Sequence, residues 1–185
     1  MDHSQLTTPV NLGLVLVGYR ATGKTTVGRL IADRLGRTFV DSDQEIEQRT
    51  GRSIAEHFAK AGELGFRNLE SEMIRTLCEQ FPGSVLATGG GTILRETNRE
   101  ILRRFGLVIW LSAPTETIVA RLERDPGARP SLTSAGLLDE VASVLIAREA
   151  LYRDVAHFVV DASADDPRVV AETVIRRLLE ECGPI

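Results

Sequence analysis

One segment of the chain has the residue types needed to bind the phosphate groups of a nucleotide. Residues 18–25 read Gly-Tyr-Arg-Ala-Thr-Gly-Lys-Thr, which matches the pattern GxxxxGK[ST] in full. Glycines let the backbone approach phosphate oxygens closely, so that successive amide N–H groups can donate to them. Lys24 adds a mobile positive charge, and the Thr25 hydroxyl is placed to bind Mg²⁺. We predict nucleotide contacts from Gly18, Tyr19, Arg20, Ala21, Thr22, Gly23, Lys24, Thr25 and Thr26, with the Arg20 and Thr22 side chains facing outward.

Two carboxylates lie further along, in Asp41-Ser42-Asp43. They follow a short apolar run, which places them at the carboxyl edge of a parallel sheet, where open α/β folds bind ligands. One acid could serve a metal ion and the other a substrate. Alternatively, both could simply begin the next helix, where acidic residues are favoured by the helix dipole.

A glycine run, Gly89-Gly90-Gly91, follows a third apolar run. Three consecutive glycines leave backbone amides exposed and allow a small ligand to approach them closely. The alternative is an ordinary flexible turn.

These segments need a scaffold, and the rest of the chain supplies one. Short apolar runs alternate with longer amphipathic stretches, which is typical of βαβ units and a parallel sheet. Most of the runs lack polar alternation, as expected for strands covered on both faces. We predict five strands, over 12–17, 38–41, 85–88, 107–111 and 157–161. Helix starts are predicted by capping boxes at Ser42/Glu45, Ser53/Glu56 and Thr97/Glu100, and by Asp166-Pro167.

Composition and charge exclude several classes of protein. With 43% hydrophobic and 26% charged residues, the 185-residue chain has the profile of an ordinary globular protein, and one domain is expected over 1–185 with 1–10 as a flexible tail. A net charge of −4 gives no positive field for a polyanion. No basic leader or apolar stretch of membrane-spanning length is present. We therefore expect a cytoplasmic protein with no nucleic-acid or membrane partner, and a monomer because no long uncovered apolar element is evident.

The combination of motifs resembles the shikimate kinase family. The matching segments are GYRATGKTTVGR, FVDSDQEIEQRTGRSIAEHFAKAGELGFRNLE, VLATGGG, Arg129-Pro130 and REALYRDVA, in that order. No GTPase-type Asn-Lys-x-Asp sequence competes with it. The resemblance covers residues 12 to 171, nearly the whole chain.

The resemblance implies a three-layer α/β/α P-loop kinase fold with five parallel strands in the order 2-3-1-4-5. It also implies transfer of the ATP γ-phosphoryl group to the 3-hydroxyl of shikimate, within chorismate and aromatic amino-acid biosynthesis. ATP would be the co-substrate and Mg²⁺ the cofactor.

The resemblance also implies roles for individual residues. Asp43 would bind the shikimate hydroxyls and take part in catalysis with Lys24 and Arg129. Arg67, Arg148 and the segment Gly89, Gly90 and Gly91 would supply the other substrate contacts. Asp41 would support Mg²⁺ through a water while Thr25 binds it directly. A mobile lid carrying Arg129 would span about 124–136, where an ordinary exposed loop is the alternative.

Two other functions remain open at the level of sequence. A different small-metabolite kinase, such as a gluconate kinase, would share the phosphate-binding loop. A regulatory module could keep the fold after losing turnover.

Overall fold

The computed structural model describes residues 12–124 and 136–182, without the Cys182 side chain. The predicted tail at 1–10, residues 125–135 of the predicted lid and Arg129 lie outside these ranges. None of the described helices is both long and apolar enough to cross a membrane.

Five parallel strands form one sheet, and each is followed by one or more helices. The strands are β1 (Gly13–Val17), β2 (Phe39–Asp41), β3 (Val85–Ala87), β4 (Gly106–Ser112) and β5 (Phe158–Asp161). The helices are α1 (Lys24–Leu35), α2 (Ser42–Thr50), α3 (Ile54–Gln80), α4 (Glu96–Phe105), α5 (Thr115–Arg124), α6 (Leu137–Val155) and α7 (Pro167–Cys182), with a 3₁₀ turn at Thr92–Leu94. The order of strands is β2-β3-β1-β4-β5, which confirms the predicted fold class.

Both faces of the central strands β1, β3 and β4 are covered, and for this reason these strands lack polar alternation, whereas the edge strand β5 alternates between buried and exposed residues. Along β1, Val15 and Val17 pack with residues of α2, α3, α4 and α6. Leu14 and Leu16 point to the opposite face and pack with α1 and α7. Successive residues of a strand face opposite sides, so every position of β1 is apolar.

Two of the predicted helix starts are correct. Ser53 and Glu56 form the reciprocal capping box at the start of α3, and Asp166 Oδ1 accepts the Arg168 amide at 2.9 Å at the start of α7. Pro167 occupies the first position of α7, where a missing N–H costs nothing.

The other two predicted caps are wrong. The N-cap of α2 is Asp41, whose carboxylate accepts the amides of Asp43 and Gln44. Ser42 Oγ instead accepts the Gly89 amide at 3.0 Å. Helix α4 begins at Glu96, so Thr97 lies inside it. At α2 a tertiary hydrogen bond occupies the Ser42 hydroxyl, and Asp41 caps the helix in its place; Arg95 precedes α4 without a side-chain cap.

Candidate active site

The predicted phosphate-binding loop, residues 18–25, runs from the end of β1 into the start of α1. Its conformation depends on its glycines. Gly18 and Gly23 have positive φ angles of 149° and 90°, and Ala21 also has a positive φ, of 61°. A Cβ atom at Gly18 would lie 2.5 Å from the Leu111 carbonyl oxygen. Helix α1 has no side-chain cap at its N-terminus, so its first amides face the loop. Unsatisfied amides and the positive end of the helix dipole together make an anion site.

Lys24 is buried, and its ammonium group lies inside this loop. Its Nζ donates to the Tyr19 carbonyl oxygen at 2.7 Å. Burial lowers the pKa of Lys24 from 10.5 to about 8, although the nearby carboxylates of Asp43 and Asp41 act in the opposite direction. The loop therefore holds a desolvated cation next to two acids.

Thr25 and Asp41 come together at the base of the loop. Thr25 Oγ1 donates to Asp41 Oδ2 at 2.7 Å, while Asp41 Oδ1 accepts the amides of Asp43 at 3.0 Å and Gln44 at 3.3 Å. One oxygen of Asp41 thus fixes the start of α2, and the other faces Thr25. Hydroxyl and carboxylate oxygens are the hard ligands that Mg²⁺ prefers, and Mg²⁺ commonly takes only one or two ligands from the protein.

The glycine run after β3 packs against the predicted substrate residues. A Cβ atom at Gly89 would lie 2.7 Å from Asp43 Oδ1 and 2.9 Å from Glu70 Oε1. A Cβ atom at Gly91 would collide with the guanidinium group of Arg67. The absence of side chains here lets the loop lie directly on these charged groups, so the alternative of a merely flexible turn does not fit.

Arg67 is held from several sides. Its Nη1 donates to Glu70 Oε2 at 2.8 Å, and its guanidinium carbon lies 5.6 Å from the Phe58 ring and 5.3 Å from the Phe66 ring. Glu70 is 1% exposed, and its Oε1 accepts from Thr92 Oγ1 at 2.8 Å. A buried carboxylate bonded on both oxygens gives Arg67 a fixed counter-charge.

Arg148 reaches the same glycine run from α6. Its Nη1 donates to the Gly90 carbonyl oxygen at 3.1 Å, and Tyr152 donates to that oxygen at 2.8 Å. Gly90 also lies against the phosphate-binding loop, because a Cβ atom there would be 3.3 Å from the Arg20 amide nitrogen. The predicted substrate residues and the predicted nucleotide residues therefore meet at Gly90.

The side chains of Arg20, Thr22 and Thr26 differ in how far they are exposed to solvent. The prediction that Arg20 and Thr22 face outward is wrong. Thr22 is 2% exposed and donates to Tyr19 O at 2.8 Å, while Arg20 pairs with the buried carboxylate of Glu140 at 3.2 Å. The Thr22 contact is local, three residues back along the chain, whereas Arg20 reaches a residue 120 positions away, which no local pattern reveals. Thr26 is exposed on α1.

Sequence reasoning missed four residues that support the site. Glu70 and Thr92 anchor Arg67, and Glu140 holds Arg20. Arg121 donates to the carbonyl oxygens of Ala21 at 3.5 Å and Ala164 at 2.8 Å, which joins the phosphate-binding loop to the segment after β5. Glu70 could have been suspected from its position three residues after Arg67, where side chains meet on a helix. The partners of Thr92, Glu140 and Arg121 are distant in sequence, so no local signal indicates them.

The predicted phosphate-binding loop lies at the carboxyl edge of a 2-3-1-4-5 parallel sheet, beside a glycine run that contacts Asp43, Arg67 and Arg148. This arrangement is typical of a P-loop phosphotransferase. Comparison with known proteins narrows this class. The family model for shikimate kinase matches residues 20–179. Shikimate kinase 2 of Escherichia fergusonii is 45% identical over 170 residues, which cover 91% of this chain and 92% of that protein. Shikimate kinase 2 of Syntrophotalea carbinolica is 46% identical, covering 90% of this chain and 94% of that protein.

A solved structure gives the same result. The shikimate kinase of Acinetobacter baumannii in complex with shikimate aligns with a TM-score of 0.86 and 39% identity, covering 92% of this chain and 94% of that one. The chain belongs to the shikimate kinase family. The predicted family and the predicted kinase activity with ATP as co-substrate are thereby confirmed.

Proposed function

We propose that this chain transfers the γ-phosphoryl group of ATP to the 3-hydroxyl of shikimate at the junction around Gly90. One observation carries the proposal. Gly90 contacts the phosphate-binding loop through its backbone, and its carbonyl oxygen accepts a hydrogen bond from Arg148. An acceptor bound by the glycine run would therefore lie beside the phosphates, which is the proximity that phosphoryl transfer requires.

Charge and shape support a small hydroxylated acid as the acceptor. Arg67 and Arg148 approach the glycine run from α3 and α6. Guanidinium groups offer fixed donor forks to a carboxylate, and such charge-assisted bonds are roughly twice as strong as neutral ones. Asp43 lies next to Gly89 and is proposed to accept hydrogen bonds from ring hydroxyls.

Asp43 is proposed to orient the attacking hydroxyl and to receive its proton. Phosphoryl transfer passes through a loose transition state that demands little of a base, so orientation is the larger contribution. Its interaction with Lys24 keeps a positive charge close by. Lys24 and the first amides of α1 would stabilise the phosphate charge as it moves towards the leaving oxygen.

Thr25 and Asp41 are the residues proposed to hold Mg²⁺, with Asp41 acting through water. The donors are hard oxygens, and the 2.7 Å hydrogen bond places them next to each other beside Lys24. When bound, the ion would supply positive charge that stabilises the phosphate groups. The role of Arg129 in neutralising phosphate charge stays a prediction of the resemblance.

We further propose that one domain accounts for the chain and that it acts as a cytoplasmic monomer without nucleic-acid or membrane partners. The net charge of −4 supports this, because it provides no attraction to nucleic acids or anionic lipids. Sedimentation at micromolar concentration should give a single species of 20.3 kDa.

The test is ADP release in a coupled assay with Mg-ATP and shikimate, quinate, gluconate or no acceptor. Asp43→Asn keeps the size of the side chain and removes its charge, and we expect kcat with shikimate to fall by about 10²-fold or more. Asp33→Asn, at an exposed aspartate of α1, is the matched control and should leave kcat unchanged.

Each outcome has a distinct meaning. Turnover that depends on shikimate and is lost in Asp43→Asn supports the proposal together with the role of Asp43. Turnover with gluconate instead of shikimate would mean that gluconate is the acceptor. Nucleotide binding without turnover on any acceptor would indicate a regulatory module.

A further inference from the structure

Tyr152 is a buried residue of α6 whose hydroxyl reaches the glycine run. Its side chain is fully buried, and the hydroxyl donates to the Gly90 carbonyl oxygen at 2.8 Å. Arg148, one turn earlier on the same helix face, donates to the same oxygen at 3.1 Å. Two side chains from one helix therefore share a single backbone acceptor.

The ring of Tyr152 is fixed by the sheet. It stacks on Trp110 with 5.4 Å between ring centroids and 13° between planes. Trp110 pairs in register with Val17, the last residue of β1 before the phosphate-binding loop. The position of the Tyr152 hydroxyl is thus fixed relative to β1, the strand that leads into the phosphate-binding loop.

Holding the Gly90 carbonyl also sets the direction of the next amide. In a trans peptide the C=O of one residue and the N–H of the following residue lie in one plane and point in opposite directions. Hydrogen bonds that hold Gly90 C=O towards Tyr152 therefore turn Gly91 N–H away from it. Glycine has unusual backbone freedom, so this orientation needs outside support.

We propose that Tyr152 is a positioning residue for the acceptor: its hydroxyl fixes the Gly90–Gly91 peptide and, through the shared oxygen, the guanidinium group of Arg148. This inference rests on the proposed function. Fixing donors before the ligand arrives lowers the entropy lost on binding. Burial raises the pKa of Tyr152 to about 12, although Arg148 opposes this, so the hydroxyl keeps its proton at neutral pH.

The test is Tyr152→Phe, which keeps the stacked ring and removes only the hydroxyl. We expect KM for shikimate to rise about tenfold, as for loss of one buried hydrogen bond, while KM for ATP stays within about twofold. A purely structural role would lower the melting temperature and leave the ratio of the two KM values unchanged. An unchanged ratio would therefore overturn the inference.

The matched control is Glu140→Gln, at another buried residue of α6. Glu140 pairs with Arg20 on the nucleotide side at 3.2 Å, so this variant should raise KM for ATP more than KM for shikimate. If both variants raise the same KM, α6 is merely loosened and the inference fails. Should Tyr152→Phe not fold, Trp110→Phe loosens the stack but keeps the hydroxyl, and the same selective rise in KM for shikimate is expected.

The wild-type enzyme separates this inference from the proposed function. If it releases no ADP in response to shikimate, the proposed function fails. If it does so and Tyr152→Phe has wild-type KM values, only the role of Tyr152 is overturned.

Discussion

Lys24 combines burial with a positive charge beside Asp43 and Asp41. Desolvation lowers its pKa to about 8, and Asp43 and Asp41 limit the effect. A group whose pKa is lower in the folded than in the unfolded state destabilises the fold where both states are protonated. As pH rises from about 8 towards 10.5, the folded state loses its proton first, so stability due to this group increases.

The direction of this change in stability with pH can be tested in the absence of nucleotide and divalent cations. At pH 7.5, Lys24→Met should have a higher free energy of unfolding than the wild type, since the buried charge is gone. The difference should shrink by pH 10, and urea unfolding of both proteins at the two pH values measures it. Other titrating groups cancel in the comparison, so a difference independent of pH would show that Lys24 is not desolvated.

Two charged side chains of the candidate site are each paired with a buried residue of opposite charge. Glu70 accepts from Arg67 and Thr92, and Glu140 pairs with Arg20. Burying an unpaired charge is costly, whereas bonded pairs retain their geometry. Arg67 and Arg20 are thereby held in position before any ligand binds.

At the scale of elements, α3 contains an abrupt break that places its functional residues. Gly62 has φ 66° and ψ −176°, so the residues before and after it form two helices that meet at an angle. Phe58 lies before the break and Arg67 after it, and the break brings the Phe58 ring 5.6 Å from the Arg67 guanidinium carbon. This backbone region is essentially restricted to glycine.

Gly62→Ala should therefore destabilise the fold by roughly 1–3 kcal/mol, although no atom would lie within 4 Å of the new Cβ. Gly36→Ala is the matched control, because Gly36 also has open space around it but adopts the left-handed helical conformation, with φ 63° and ψ 32°. Alanine tolerates that region better, so we expect Gly36→Ala to lower the free energy of unfolding less than Gly62→Ala does. Urea unfolding measures both, and equal losses would contradict the argument.

At the scale of the whole molecule, two of the three apolar clusters in the described residues pack on opposite faces of one sheet. Val15 and Val17 belong to one core, and Leu14 and Leu16 to the other. Each core includes alternate residues of the same strand, so neither can lose its packing without exposing the strand that supports the other. We expect the described residues to unfold in a single cooperative transition.

Leu178→Ala tests this coupling from the core opposite the only tryptophan. Leu178 is fully buried in α7, and its truncation should cost about 2–5 kcal/mol. Trp110 lies in the other core, yet its fluorescence transition should shift as far as the circular dichroism of the helices. Leu179→Ala, one residue along and 47% exposed, should change stability by less than about 0.5 kcal/mol. Separate transitions would mean that the cores unfold independently.

The order of motifs along the chain determined the family, and local patterns determined the phosphate-binding loop and the approximate strands. The loop and the strands depend on neighbours within a few residues: the glycines of 18–25 permit the turn, and apolar runs mark strands covered on both faces. The start of α3 at Ser53 follows the same rule, because both partners of its capping box lie within one turn.

Tertiary structure decided which residues complete the site. Asp41 replaces Ser42 as the cap of α2 because Ser42 Oγ accepts the amide of Gly89, 47 residues away. Arg20 turns to Glu140 and Tyr152 to Gly90 across 120 and 62 residues. Such pairs form only when strands and helices from distant parts of the chain meet at one edge of the sheet, so no local pattern contains them. The sequence thus determined which chemical groups are available, and the packing of the helices on the sheet decided which of them act together.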